Sequence, residues 1–155
     1  MPKKSFLILF AIAFSVFLTI SALGQTARKS VSAGEVTGTF RHKFTGKFRG
    51  SSSEIRIVSI GRGKLKVAFD LIYPYEIGDG ELTANMGSAD GPATIKGDTA
   101  VYSSNEFGPC RITIKFVRPR RISVTQDGTD VDCGFGHNVM ADGIYKKVSS
   151  AKPKF

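Results

Sequence analysis

The sequence predicts an all-β fold: a small antiparallel barrel, closed or nearly closed, with about eight strands. Three observations carry this. Apolar residues recur at every second position in short runs, no window after the first two dozen residues keeps a helical period, and 17 glycines separate the runs. Many short strands at close spacing belong to sandwiches and barrels. Closure is favoured over a sandwich because Gly38-Thr39-Phe40 near the start and Gly143-Ile144-Tyr145 near the end would pair and remove the exposed edges.

The first residues are a different kind of segment. Lys3 and Lys4 precede an apolar run from Phe6 to Ile20, and Ala22-Leu23-Gly24 supplies small residues for a signal peptidase. A signal-peptide helix over 1–24 is predicted, cut after Gly24. The run is about fifteen residues, short of the roughly twenty that cross a bilayer, so no transmembrane span is expected in the mature chain. The protein is therefore expected to be exported, periplasmic or secreted. Residues 25–34 read as a flexible leader, 35–148 as a single β-barrel domain and 149–155 as a flexible tail.

The strands follow in order. Val36, Gly38, Phe40, His42, Phe44 and Phe48 share one parity while Thr39, Arg41, Lys43, Lys47 and Arg49 take the other. An interruption is expected near Thr45-Gly46. Ile55 and Ile57 mark a second strand, and Gly61-Arg62-Gly63 a tight hairpin into Lys64–Tyr73, where Leu65, Val67, Phe69, Leu71 and Tyr73 share a face. Pro74 is expected to end that strand. Two shorter strands, Glu81–Met86 and Ala93–Lys96, would be joined by the Gly87–Pro92 loop, with Thr99–Ser103 next. Cys110–Val117 and Arg121–Gln126 alternate cleanly around Arg118-Pro119-Arg120. Asp127-Gly128-Thr129-Asp130 turns the chain, Val131–Gly136 returns toward Cys110, and Val139–Val148 closes the domain. Cys110 and Cys133, the two cysteines, would meet at one end of this hairpin as a single disulfide, as suits an exported chain.

Charge is unevenly distributed. Removing Lys3 and Lys4 with the signal lowers the formal charge from +9 to +7. The segments Gln25–Lys66 and Cys110–Phe155 are rich in lysine and arginine, whereas Val67–Pro109 holds Lys96 against seven acids. Barrel closure makes the two basic segments neighbours, so one side should be positive and the other negative. Arg41, Lys43, Lys47 and Arg49 would project from the positive side, with Arg118, Arg120 and Arg121 nearby. The phenylalanines between these cations have core parity, and an exported protein meets little nucleic acid, so nucleic acid is not the expected partner. An anionic polymer of the cell envelope or an envelope protein is. A solvated surface that only maintains solubility is an equally good account of the charge.

Catalytic sets are thin. No Gly-x-Ser-x-Gly elbow occurs, both cysteines are used in the disulfide, and His42 reads as a hydrogen-bonded core residue. His137 lies in Gly134-Phe135-Gly136-His137-Asn138, a barrel-end loop whose Phe135, His137 and Asn138 are binding candidates. Pairing His137 with Asp132 or Asp130 on a metal lacks a recognised spacing, and Asp127-Gly128-Thr129-Asp130 reads first as turn chemistry. No cofactor, metal or catalytic residue is expected.

The C-terminal third, with Cys110-Arg111-Ile112-Thr113-Ile114, Ile122-Ser123-Val124-Thr125-Gln126, Cys133-Gly134-Phe135-Gly136 and Gly143-Ile144-Tyr145, resembles small exported bacterial β-barrel proteins, lysozyme-inhibitor-like families among them. The resemblance implies a periplasmic or secreted barrel held by one disulfide. It carries no inhibitory residue over, since a Ser-Gly-x-x-Tyr loop of the kind membrane-bound lysozyme inhibitors use is missing from this chain.

The expected function is a non-enzymatic binding module of the cell envelope, acting through the basic face or the barrel-end loop. The alternative is a protein inhibitor of an envelope hydrolase such as lysozyme, with Glu76, Asp79 and Glu81 as the inhibitory acidic loop. A small-molecule carrier, or a hydrolase centred on His137, comes behind these.

Overall fold

The computed structural model describes residues 30–117 and 120–155; the expected signal helix and residues 25–29 of the leader lie outside them. Alternating apolar residues sort the strands into a buried and an exposed row. The strands are β1 (Gly38–Lys43), β2 (Ser52–Gly61), β3 (Lys64–Ile77), β4 (Glu81–Lys96), β5 (Thr99–Ser104), β6 (Cys110–Val117), β7 (Arg121–Asp127) and β8 (Gly143–Ser149). Each pairs antiparallel with the next, and β8 returns to β1, pairing Phe40 with Lys147 and Arg41 with Lys146, so the sheet closes into an eight-stranded barrel. Closure pairs the first strand with the last, so neither is left as a free sheet edge.

Side chains fill the interior. Phe40, Ile55, Phe69, Ile112, Ile114 and Tyr145 are all at most 1% exposed. Each such side chain contributes about 1.5–3 kcal/mol on burial. Phe44 and Phe48, which share Phe40's parity in sequence, are only half-buried, because β1 stops at Lys43 and the chain makes a 3₁₀ turn at Gly46–Phe48.

An up-and-down meander puts alternate connections at opposite ends. One, here the entry end, carries the amino-terminal turn, the β2–β3, β4–β5 and β6–β7 connections and the C-terminus. The expected strand start at Val36 is instead the last residue of a one-turn helix, α1 (Ala33–Val36). Ser32 and Glu35 form a reciprocal capping box there, which satisfies the first amides of the turn. Val31 N–H reaches Gly97 O at 3.3 Å, tying this segment to the β4–β5 turn. The C-terminal residues, expected as a polar tail, lie on the barrel wall: Arg56 donates to Lys154 O, and the Phe155 ring sits 4.7 Å from Lys66 Nζ.

The other end departs further from expectation. Pro74 does not terminate β3; it is buried and pairs with Ala84. It lies past Asp70, the last β3 residue in register with β2, where the strand has a single neighbour and a missing N–H is tolerated. Gly87–Pro92 is not a loop between two strands but the middle of β4. Its glycines serve close approach: a Cβ at Gly87 would stand 2.8 Å from Phe135 Cβ, and one at Gly91 would stand 3.1 Å from the Tyr102 ring. β3 and β4 therefore run on as a two-stranded arm beyond the barrel, turning at Gly78–Gly80.

Val131–Gly136 does return to Cys110, but as a run of turns and not as a strand. Residues 128–142 form a turn-rich plug, and β8 begins at Gly143 rather than Val139. Val139 and Ala141 are fully buried in it. Gln126, a buried polar side chain, organises the plug. Its Oε1 accepts from Ala141 N–H at 2.9 Å, and its Nε2 donates to Thr129 O at 3.1 Å and Gly128 O at 3.3 Å. Tyr145 O–H donates to Ala141 O at 3.0 Å from the core side. The Cys110–Cys133 disulfide anchors the plug to the start of β6.

Candidate functional site

Closure does bring the two basic segments together, along the seam of β7, β8 and β1. Arg121 is the partner of Lys146, and Lys146 the partner of Arg41, so three cations occupy adjacent outward positions on strands about 4.8 Å apart. Lys43 follows two residues along on the same face of β1. With Arg41, Arg49, Ser51 and Ser52 it lines a depression of about 340 Å³. Arg41 also donates to Glu54 at 2.7 Å, so part of its charge is spent within the fold. Arg120, Arg121, Lys146, Lys43 and Arg49 reach no carboxylate among the described residues. Ile144 and Val148, 47% and 46% exposed, flank Lys146 on the same strand face.

Not every expected cation joins the seam. Lys47 turns to the arm and pairs with Glu76. Arg118 lies outside the described residues. Two residues that matter were not singled out from sequence: Lys146, hidden in an ordinary alternating strand, and Lys147, whose parity points it inward.

Lys147 closes the barrel mouth at the entry end. Its Nζ donates to Gly34 O at 2.7 Å and Glu35 O at 2.9 Å, and lies 5.4 Å from the Phe40 ring centroid. Desolvation by burial, followed by the nearby Arg120 guanidinium, holds its pKa below the ordinary lysine value, with Glu35 acting in the opposite direction. Beside it is a cavity of about 310 Å³ whose lining includes Val31, Phe40, Phe116, Val117, Arg120 and Arg121. The arrangement is an apolar floor under a cationic rim.

The barrel-end loop is largely occupied by its own structure. Phe135, expected as a ligand contact, is 7% exposed and packs over Gly87. Asp130 accepts from Val131 N–H at 2.9 Å and Asn138 N–H at 2.6 Å, and Asp132 from Thr129 N–H at 2.8 Å. The Thr129 hydroxyl also donates to Asp132 at 2.7 Å, and the two bonds from Thr129 lower the Asp132 pKa. His137 is exposed with Nδ1 3.9 Å from Asp130, and its backbone oxygen accepts from Asn85 at 2.7 Å. Among the described residues no group of three His, Cys, Asp or Glu side chains is placed to hold a metal. His42 Nδ1 is 3.0 Å from Ile144 O, and its ring lies against Phe44 and Tyr145.

Glu76, Asp79 and Glu81 sit at the tip of the arm, with Asp79 in the left-handed region at φ 62°. The arm also exposes Tyr73, Ile77, Leu82 and Met86, the last at 75%. Tyr73 and Tyr75 stack at 6.3 Å along its face. The arm is acidic where the seam is basic, and its exposed apolar residues lie on two faces, Tyr73 and Ile77 on one and Leu82 and Met86 on the other.

No family model, curated protein or solved structure matches this chain.

Proposed function

We propose that this protein is a non-catalytic binding module that holds an anionic polymer of the cell envelope along the β7–β8–β1 seam. The observation that carries the reading is the row Arg121–Lys146–Arg41, extended by Lys43 and Arg49, on a rigid closed barrel. A filled interior turns the binding problem to the surface, and a linear polyanion is the ligand that a row of cations fits. The disulfide suits an oxidising compartment, where such polymers are met.

The test is titration with a bacterial anionic envelope polymer over a range of salt. The double variant Arg121→Glu, Lys146→Glu is expected to bind at least about tenfold more weakly at low salt, with a shallower salt dependence. Binding by the variant equal to the parent at every salt concentration would remove the reading.

A second reading has an observation of its own. The arm exposes Tyr73 and Ile77 on one face and Leu82 and Met86 on the other, with Glu76, Asp79 and Glu81 around its tip, and exposed apolar side chains among carboxylates are the composition of a protein-docking element. It favours an envelope protein as partner, an envelope hydrolase such as lysozyme being the case to assay. Undiminished lysozyme rates at large molar excess would dispose of that enzyme as target.

A further inference from the structure

We propose that the cavity at the entry end receives the apolar part of an anionic amphiphile, a molecule that joins a phosphate or carboxylate to a short hydrocarbon chain. The proposal rests on the seam as the anion site and adds what the ligand carries beyond its charge.

Three features converge there. The floor is made of Phe40 and Phe116, whose rings meet edge to face at 6.2 Å, and the walls include Val31 and Val117. These are groups that take hydrocarbon from water. The rim holds Arg120 and Arg121, so a headgroup placed at the mouth meets two guanidinium groups able to bind an anion with paired N–H donors. Lys147 adds positive charge, but its Nζ is held by two backbone carbonyls, so it acts as a fixed charge at the back of the site. One carboxylate, Glu35, also lines the cavity. It accepts from Ser32 N–H at 2.9 Å and the Ser32 hydroxyl at 3.1 Å, which commits it to the capping box, and three cations still outnumber it.

Size limits the ligand. At about 310 Å³ the cavity is at the small end of ligand pockets, which suits a short chain and not a long acyl group. The other cationic depression, beside Lys43 and Arg49, has Phe44 as its one large apolar residue. The seam thus ends at the entry cavity, where its cations stand over a concave apolar floor.

The experiment uses the mature protein and two series of probes, n-alkyl phosphates and n-alkyl carboxylates from two to eight carbons, with inorganic phosphate and the matching alkanols as controls. Affinity is expected to rise about two- to fourfold per methylene, then level when the cavity is full. Alkanols are expected to bind at least about tenfold more weakly than the phosphates of equal length. The stronger of the two series identifies the headgroup. Val117→Ser should flatten the length dependence while leaving polymer binding intact; Val31→Ser provides the same readout if the first variant folds poorly. Affinity independent of chain length, or alkanols equal to phosphates, overturns the proposal. If that happens while the polymer still binds, the seam reading stands alone; if polymer and probes both fail to bind, the seam reading falls with it.

Discussion

The seam and the arm are built from the same kind of alternating strand, yet they present opposite surfaces. On the seam, β8 has neighbours on both sides and a filled core beneath it. Its inward residues are consumed by the barrel, and Lys146 is left facing water. On the arm the alternation continues past the barrel, where no core remains to receive it. Leu71 is 1% exposed, while Tyr73, two residues on with the same parity, is 42% exposed and Ile77 is 43% exposed. Whether an apolar residue becomes core or contact surface is decided by where the barrel ends.

The disulfide belongs to one region alone, the plug end of the barrel. Replacing Cys110 and Cys133 with serine removes a cross-link of sequence separation 23 and should lower unfolding free energy by about 3 kcal/mol. Denaturant unfolding measures this. Because the bridge pins the plug and not the seam, polymer affinity should stay unchanged below the transition. A seam that loses binding along with the bridge would show that the two regions are not independent.

Gln126→Ala tests the same end without touching covalent bonds. It strands Ala141 N–H and two carbonyls in the plug, and about 2–3 kcal/mol should be lost. Hydrogen exchange should rise in 128–142 and stay unchanged in β1.

Tyr145→Phe is milder, about 1 kcal/mol, through the lost bond to Ala141 O. It also sharpens a pH dependence. Burial raises the Tyr145 pKa well above its ordinary value of 10.0. Above pH 10 the unfolded tyrosine releases its proton while the folded one keeps it. The folded state then binds more protons, and stability falls as pH rises. Lys147, shifted downward, contributes with the opposite sign over the window below its ordinary value of 10.5. The parent should therefore lose stability above pH 10 more steeply than Tyr145→Phe, as read by thermal unfolding across pH 9–11.

The smallest effect is expected on the arm. Leu82→Gln with Met86→Gln removes exposed apolar surface, and stability should change by no more than about 0.5 kcal/mol per site. A loss of several kcal/mol would mean that these residues are packed, and the proposal of a partner docking on the arm would fall.

Sequence by itself determined the parts that depend on periodicity and on the count of chemical groups. Alternation from Leu65 to Leu71 and from Cys110 to Phe116 can satisfy only a half-buried strand, and two cysteines in one such chain have one pairing. The approach of the first strand to the last was legible because an open sheet would leave edges unpaired. Tertiary structure decided what local pattern leaves open. Pro74 and Gly87 look like breaks when read along the chain, but one lies where its strand has a single neighbour and the other where Phe135 needs room. Ser32 and Glu35 became a cap only once a turn formed between them. Lys146 and Arg121 are 25 positions apart, and only the hydrogen-bonded ladder makes them neighbours. Charge in sequence is a quantity, and a binding surface is a distance between charges, which folding alone supplies.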